Sequence, residues 1–262
     1  MTESILRRMV QDDAAAVAQL LQTSFDEPLS PFLVYCQPGI DTYLVTLLDW
    51  SRVFQNHHLY VATNPTGELL GFVEFRSVGD SSCLLSWICV ARAARGVGLA
   101  ERLILLHLDT HPEIDTVELD VFAHNATAIR LYERLGFTTG GTAQWWRRAL
   151  PKADSTDRAG LRLSDWHASA ASLDRYGFCQ INAEYRGHPV RIGLTSSTVV
   201  RVDDREQFQD DNLLAALRFV LPDAQHALII DRGDTDPNSE TELLLKSQRM
   251  RAMSSSVKAA RR

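Results

Sequence analysis

The stretch VARAARGVGLA, residues 90–100, decides the fold because it joins an apolar strand-like segment to an amphipathic helical one. Glycine adopts the left-handed backbone that other residues avoid, so Gly96 and Gly98 predict a tight turn into a helix. The N-terminus of a helix carries unpaired N–H groups and a partial positive charge. Because glycines also let a ligand approach the backbone, this junction predicts a pyrophosphate-binding site. A tight turn that binds nothing is the alternative when the stretch is taken alone.

Two other kinds of phosphate loop fit this junction poorly. No Gly-Lys-Ser/Thr follows the glycines, which excludes a P-loop, and the third glycine of the dinucleotide fingerprint is missing. Before the junction, short turns separate the strand-like segments HLYVAT, LLGFVEFRSV and CLLSWICV. This pattern predicts an antiparallel meander, whereas a dinucleotide fold has a parallel sheet. Residues 99–110 then predict a helix, with Pro112 beyond its end.

A second motif follows the strand-like segment TVELDVFA, where residues 125–137 read NATAIRLYERLGF. Asparagine is a preferred N-cap residue, so Asn125 predicts the start of a helix. Gly136 suits the left-handed residue that ends many helices. Tyr132 shares a helical face with Ile129 and Leu135, and this spacing is typical of an aromatic residue in the core.

Together, the two motifs resemble the GCN5-related N-acetyltransferase (GNAT) superfamily. Its members carry R/Q-x-x-G-x-G/A at the start of a helix and N-x-x-A-x-x-L-Y-x-x-x-G-F about thirty residues later. The resemblance covers about residues 3–150, and the proline often found at the position of Arg92 is absent. It implies an α/β (α+β) fold, with a mixed, mostly antiparallel twisted sheet flanked by helices. The matching residues are Arg95, Gly98, Ala100, Asn125, Ala128, Leu131, Tyr132, Gly136 and Phe137.

The resemblance also implies a site for acetyl-CoA. Its pyrophosphate would lie on residues 95–100, and its pantetheine arm along the strand Ser86–Val90. A backbone N–H near Ile88 or Cys89 would stabilise negative charge on the carbonyl oxygen, and Tyr132 would protonate the departing thiolate. Asn125 caps a helix and contacts pantetheine in this interpretation; capping alone is the alternative. The implied cofactor-binding residues are Ile88, Cys89, Val90, Arg95, Gly96, Val97, Gly98, Leu99, Ala100, Asn125 and Tyr132.

An acceptor amine must lose a proton before it attacks, so the site needs a base. Asp120 is the first candidate, because some amine-modifying members of the family carry a glutamate at this place. Glu74 and Glu118 are alternatives, and His124 can titrate near neutrality. Side chains alternate along a strand, so Glu118 and Asp120 share one face. They form either a functional pair or the polar face of the strand.

Composition narrows the partners of the chain. Its 262 residues carry a net charge of −6, which argues against broad nucleic-acid binding. No apolar run reaches the roughly 18 residues of a membrane span, and the N-terminus lacks the apolar centre of a signal peptide. The four cysteines form no CxxC pair, which predicts reduced thiols in a cytoplasmic protein. No His/Cys spacing predicts a metal site.

The domain organisation follows from a polar stretch, Lys152–Gly160, that predicts a linker. We expect an acetyltransferase domain over residues 1–150 and a smaller α+β domain over residues 151–262. The second domain weakly echoes the first and is interpreted as a degenerate GNAT-like half that serves substrate selection or dimerisation. Its polar, basic tail, residues 254–262, is expected to fray. A homodimer is possible, because exposed strands can pair between two copies of the chain.

The sequence therefore predicts an acetyl-CoA-dependent N-acetyltransferase that needs no metal. Its acceptor would be a primary amine of a small molecule, an amino acid or a peptide. The alternative is a domain that senses acyl-CoA without turnover. Tyr132 favours the enzyme, because a sensor has no need of a phenol at that position.

Overall fold

The computed structural model describes residues 4–152, 160–233 and 240–260. The chain divides into two compact units. The first contains the described residues of Met1–Ser24, Tyr43–Thr142 and Ser247–Arg262. The second contains the described residues of Phe25–Thr42 and Ala143–Lys246.

The elements up to residue 137 include those that carry the two motifs. The strands are β1 (Ile5–Arg8), β2 (His57–Thr63), β3 (Leu69–Ser77), β4 (Ser82–Val90) and β5 (Thr116–Phe122). The α-helices are α1 (Ala14–Gln22), α2 (Ile40–Asp49), α3 (Leu99–Thr110) and α4 (Ala126–Arg134). Short 3-10 helices cover Gln11–Asp13, Glu27–Phe32, Val34–Cys36 and Arg92–Ala94.

The remaining elements begin with one long strand. The strands are β6 (Thr138–Ala149), β7 (Leu161–Ser164), β8 (Cys179–Tyr185), β9 (His188–Ser196), β10 (Val199–Val202), β11 (His226–Asp231) and β12 (Glu242–Met253). The helices are α5 (Trp166–Tyr176), α6 (Arg205–Gln209), α7 (Asp211–Val220) and α8 (Ser254–Ala259).

The sheet of the first unit is mostly antiparallel, as predicted. Strands β1 to β4 pair antiparallel in sequence order. Strand β4 then pairs parallel with β5, through Ser82–Leu85 and Thr116–Leu119. Residues Ser247–Met253 of β12 pair antiparallel with the other edge of β5. The predicted fold class is confirmed.

Helix α3 packs on one face of this sheet. Its residues Leu103, Ile104 and Leu108 are fully buried and share an apolar cluster with Val73 and Phe75 of β3. Burial of each such side chain contributes about 1.5–3 kcal/mol. This packing fixes the start of α3, and with it the glycine junction, beside the end of β4.

Residues 254–262 were expected to fray. This expectation is wrong for residues 254–260, which are the ones that the structure describes. Val257 of α8 is fully buried in the apolar cluster of the first unit. The Ser254 hydroxyl donates to the Ile114 carbonyl at 2.5 Å, and the Ser254 N–H donates to the Asp115 carbonyl at 2.8 Å. Val257 is the only large apolar residue of this helix, which gave too weak a pattern to predict it.

The second unit repeats the strand topology of the first. Strands β7, β8, β9 and β10 pair antiparallel in sequence order, and β10 then pairs parallel with β11. The other edge of β11 pairs antiparallel with residues 144–149 of β6. The weak echo in sequence thus corresponds to a repeated arrangement of strands, as the interpretation of a GNAT-like second half requires.

The domain boundary expected near residue 150 stays a prediction. The two compact units are not continuous in sequence, because residues 25–42 belong to the second unit and residues 247–260 to the first. Most of the predicted linker, residues 153–159, lies outside the described residues.

A histidine cluster makes the stability of the first unit sensitive to pH. His107 is fully buried and stacks on Phe75 with ring centroids 4.0 Å apart, and the rings of His58 and His111 lie 5.2 and 4.7 Å from its own. Burial, reinforced by the neighbouring His111, lowers the pKa of His107 to about 3 and that of His58 to about 4. Arg8 lowers both values further, and Glu113 partly opposes the shift at His58.

Acid is therefore expected to destabilise the protein through this cluster. Between about pH 6.5 and 4 the unfolded chain binds more protons than the folded one, so stability falls as the pH falls. His107 alone should lower the free energy of unfolding by on the order of 2 kcal/mol between pH 6.5 and 5. Urea unfolding at pH 7 and 5 measures the effect. His107→Leu should reduce the pH dependence, and an unchanged dependence would contradict this cause.

Candidate functional site

The glycine junction forms an open loop at the start of α3. Gly96 and Gly98 have φ values of 81° and 74°, in the left-handed region that favours glycine. A Cβ built on either residue meets no atom within 4 Å, so the space in front of the loop is clear. Leu99 is buried beneath the loop, whereas the Val97 side chain is 66% exposed. The loop thus presents its backbone outward.

The backbone N–H groups of this loop are available to a ligand. The amides of residues 96–100 donate no hydrogen bond to any residue that the structure describes. Gly98 is the N-cap of α3 and has no side chain to satisfy the first turn. Free amides at a helix N-terminus bind phosphate groups through hydrogen bonds and the helix dipole. The loop therefore has the geometry of an anion site.

The strands beside the loop separate towards it. After the pair of Leu85 with Leu119, no further pair joins β4 to β5 within the described ranges. Strand β4 nevertheless continues to Val90 in register with β3. Trp87 lies opposite Glu74 and Leu85 opposite Phe75, so Ser86 is the extra residue of a β-bulge. One edge of β4 over Ser86–Val90 is therefore open to an extended ligand.

The direction of the amides on this open edge follows from one hydrogen bond. The Ala91 N–H donates to the Leu70 carbonyl at 2.9 Å, towards β3. Amides of an antiparallel strand alternate in direction, so Cys89 also faces β3 whereas Ile88 and Val90 face the open edge. The Arg95 Nε donates to the Val90 carbonyl at 3.1 Å. Of the two amides considered for the carbonyl oxygen, only that of Ile88 points into the opening.

Tyr132 is placed by α4, which begins and ends as predicted. The Asn125 side chain accepts a hydrogen bond from the Ala128 N–H at 3.1 Å, and Gly136 has a φ of 84°. Tyr132 is 4% exposed, and its burial and the nearby Cys89 raise the pKa of the phenol. Burial also raises the pKa of the Cys89 thiol to about 11. Both groups are protonated at neutral pH, so the phenol can act as an acid.

The first candidate for the base, Asp120, forms an ion pair. Arg249 of β12 donates to Asp120 at 2.7 and 2.8 Å and to Glu118 at 2.8 Å. These carboxylates raise the pKa of the Arg249 guanidinium. The two acids share a face, as predicted, and this face is ion-paired. The role of Asp120 as the base that deprotonates the acceptor amine stays a prediction.

The second candidate, Glu74, is buried and paired with a residue that the sequence analysis missed. Glu74 is 1% exposed, and its Oε1 lies 2.6 Å from the His57 Nδ1. His124, by contrast, is exposed beside Phe122. Neither the His57–Glu74 pair nor the Arg249 contacts could be found in one sequence, because each joins residues on different strands without a local pattern.

These features define a class of site: a loop with the geometry of an anion site, an opened strand edge and a buried phenol, all on a mostly antiparallel sheet. Residues 16–137 match the acetyltransferase (GNAT) family. This match assigns residues 16–137 to the GNAT family. Members use acetyl-CoA, and the loop fits it because its free amides and clear space suit a pyrophosphate.

A protein of known name is similar to part of the chain. The spore coat polysaccharide biosynthesis protein SpsD of Bacillus subtilis (strain 168) is 30% identical over 131 residues. This alignment covers 48% of the chain and 44% of the relative, so it spans less than half of that protein.

Two solved structures match along nearly the full length. A tandem GNAT protein from the clavulanic acid biosynthesis pathway has a TM-score of 0.64 at 12% identity, covering 96% of this chain and 99% of its own. A GCN5-related N-acetyltransferase from Sphaerobacter thermophilus has a TM-score of 0.60 at 14% identity, covering 96% of both chains. They support an architecture of two GNAT halves. None of the helices in the described ranges has the length and apolarity that a membrane-spanning helix requires.

Proposed function

We propose that the chain transfers the acetyl group of acetyl-CoA to a primary amine by direct attack. The free amides of residues 96–100, beside the open edge of β4, are the observation that carries this proposal. A domain that senses acyl-CoA without turnover is the alternative. The predicted homodimer and cytoplasmic location rest on the sequence alone.

The loop and β4 bind the cofactor in this proposal. The amides of residues 96–100 hold the pyrophosphate, and Arg95 adds a positive charge beside it. The open edge of β4 pairs with the pantetheine arm as an added strand would. The guanidinium of Arg95, which contacts the Val90 carbonyl, must then leave that position. When bound, acetyl-CoA supplies an activated thioester.

Two groups of the chain then act on the reacting atoms. The Ile88 N–H donates to the carbonyl oxygen as negative charge develops there, a contribution typically worth a few kcal/mol. Tyr132 donates its phenolic proton to the departing sulfur. Burial keeps this phenol protonated, since it raises the pKa of Tyr132. Asn125 orders the start of α4 and thereby the position of the phenol.

The second unit serves acceptor selection or subunit contact in this proposal. Its strands repeat those of the first unit, but its loop after β10 differs. The Asp204 carboxylate accepts hydrogen bonds from the Glu206 and Gln207 amides. These amides are thus occupied, and the carboxylate repels a phosphate. We therefore assign cofactor binding to the first unit only.

Release of free CoA thiol in the presence of acetyl-CoA and an amine panel tests the proposal. The relative from B. subtilis is named for spore coat polysaccharide biosynthesis, so an amino sugar belongs in the panel. An amino acid and a peptide with a free N-terminus complete it. Thiol release that depends on an amine, with an N-acetylated product by mass spectrometry, is expected. Tight CoA binding without turnover of any amine would favour the sensor.

Tyr132→Phe is expected to lower kcat about 100-fold, because general acid catalysis typically contributes that much or more. The affinity for CoA should change little, since only the hydroxyl is lost. Steady-state kinetics and calorimetry measure the two effects. Tyr60→Phe is the matched control: it removes another buried phenol of the same unit, which lies 3.4 Å from the His107 Nδ1. Equal turnover in both variants would refute the acid role.

A further inference from the structure

The Asp120–Arg249 ion pair lies at the point where β4 and β5 separate. Leu85 and Leu119 form the last pair between the two strands, so Asp120 is the first residue of β5 beyond that pair. Arg249 lies directly opposite Asp120, on the other edge of β5. The carboxylate is therefore attached to one wall of the opening, at its closed end.

Arg249 fixes the direction of this carboxylate. Its Nε and one terminal nitrogen donate to the two oxygens of Asp120 at 2.8 and 2.7 Å, and its other terminal nitrogen donates to Glu118 at 2.8 Å. Two parallel hydrogen bonds of this kind hold a carboxylate and a guanidinium in a defined relative orientation. The Asp120 side chain is nevertheless 45% exposed, so its remaining lone pairs are accessible to a ligand.

The carboxylate lies on the face of the sheet that a polar acceptor can approach. Val117, Leu119 and Val121 of β5 pack in the apolar cluster with α3, so Asp120 points to the opposite face. Tyr132, which we assign to the departing sulfur, packs in that same cluster. In the proposed function the sulfur is therefore on the α3 side, which leaves the side of Asp120 for the amine.

The position of Asp120 along the opening decides what it can contact. Continuing the register of the last pair places Asp120 beside Ser86, two residues before Ile88, whose amide we assign to the carbonyl oxygen. Residues of a strand are spaced about 3.3 Å apart, so this offset is about 7 Å. A hydrogen bond spans only about 3 Å. The carboxylate therefore suits a second polar group of the acceptor, about three bonds from the nitrogen that attacks.

We propose that Asp120 binds a hydroxyl or ammonium group next to the reacting amine, and that Arg249 is its positioning residue; this inference rests on the proposed function. The acceptor class is then an amine with a hydrogen-bond donor on the neighbouring carbon, as in an amino alcohol or a diamine. A carboxylate accepts hydrogen bonds from either donor. Deprotonation of the acceptor, the role that the sequence predicts for Asp120, is the alternative.

Three amines of similar size separate the two roles of Asp120. Ethanolamine and ethylenediamine carry the second donor, whereas propylamine lacks it. Asp120→Ala should lower kcat/KM about 10-fold for the first two amines and leave that of propylamine unchanged, because a hydrogen bond to a charged group has at least this effect. If kcat/KM falls by the same factor for all three amines, Asp120 is the base and the inference is overturned.

Arg249→Met should have the same selective effect, because the carboxylate loses its fixed direction, and Arg249→Lys should retain part of the preference. Arg251→Met is the matched control. Arg251 lies on the same face of β12, its side chain is 60% exposed, and its Nε is 3.9 Å from Glu118. This control should leave kcat/KM unchanged for all three amines. CoA affinity, measured by calorimetry, should be the same in every variant.

Two further outcomes separate this inference from the proposed function. If Asp120→Ala and Arg249→Met keep the wild-type ratios between the three amines while binding CoA, the inference is overturned and the proposed function stands. If the wild type itself acetylates no amine, the proposed function fails and this inference fails with it. Asp120→Asn is the second variant should Asp120→Ala not fold.

Discussion

Gly98→Asp is expected to weaken CoA binding about 100-fold or more while the fold is retained. The new carboxylate projects into the clear space in front of the loop, where a Cβ meets no atom. There the carboxylate repels the pyrophosphate. It can also accept hydrogen bonds from the amides that would otherwise donate to the pyrophosphate. Each charge-assisted hydrogen bond contributes about 1.5–3 kcal/mol, so the loss of two accounts for this change in Kd. Calorimetric titration with CoA measures the effect.

Gly79→Asp is the control for backbone strain. Gly79 has a φ of 73°, against 74° for Gly98, and a Cβ there also meets no atom within 4 Å. It lies in the turn between β3 and β4, away from the loop. Both variants carry the same strain and charge, so Gly79→Asp should lower the unfolding free energy at least as much as Gly98→Asp, whose carboxylate can also cap α3. A similar loss of CoA affinity in both would show that strain, and not the loop, explains the result.

Val257→Asp is expected to destabilise the protein by about 3–5 kcal/mol, because it buries an unpaired carboxylate. Val257 is fully buried with the residues that support α3 and Tyr132. The melting temperature should fall by about 10 °C. Thermal unfolding followed by circular dichroism, with and without CoA, measures the change.

Ser255→Asp provides the comparison for this change within the same helix. Ser255 is exposed in the first turn of α8, where a negative charge is favourable. Its effect should stay within about 0.5 kcal/mol. Equal stability of the two variants would mean that the end of the chain does not pack against the first unit.

Much of the first unit could be predicted from local patterns. The bounds of α3 were predicted to the residue, because an apolar period, a glycine before it and a proline beyond it agree. Asn125 and Gly136 likewise marked the two ends of α4. The loop conformation followed from the glycines alone. These features depend on neighbours in sequence, which is why one sequence contains them.

The parts that failed depend on distant pairs. The contacts of Arg249 with Asp120 join residues 129 apart, and those of Ser254 with Ile114 join residues 140 apart. His57 has no motif around it, and only the pairing of β2 with β3 brings it to Glu74. The sequence could therefore predict that Glu118 and Asp120 share a face of β5. It could not predict that Arg249 pairs with them.

A crystal structure of the protein with CoA bound tests the central claim most directly. The account predicts pyrophosphate oxygens at hydrogen-bond distance, about 2.7–3.2 Å, from the amides of residues 96–100. It also predicts the sulfur beside the Tyr132 hydroxyl and no CoA on the loop that Asp204 caps. CoA bound elsewhere, with the amides of residues 96–100 still free, would contradict the account.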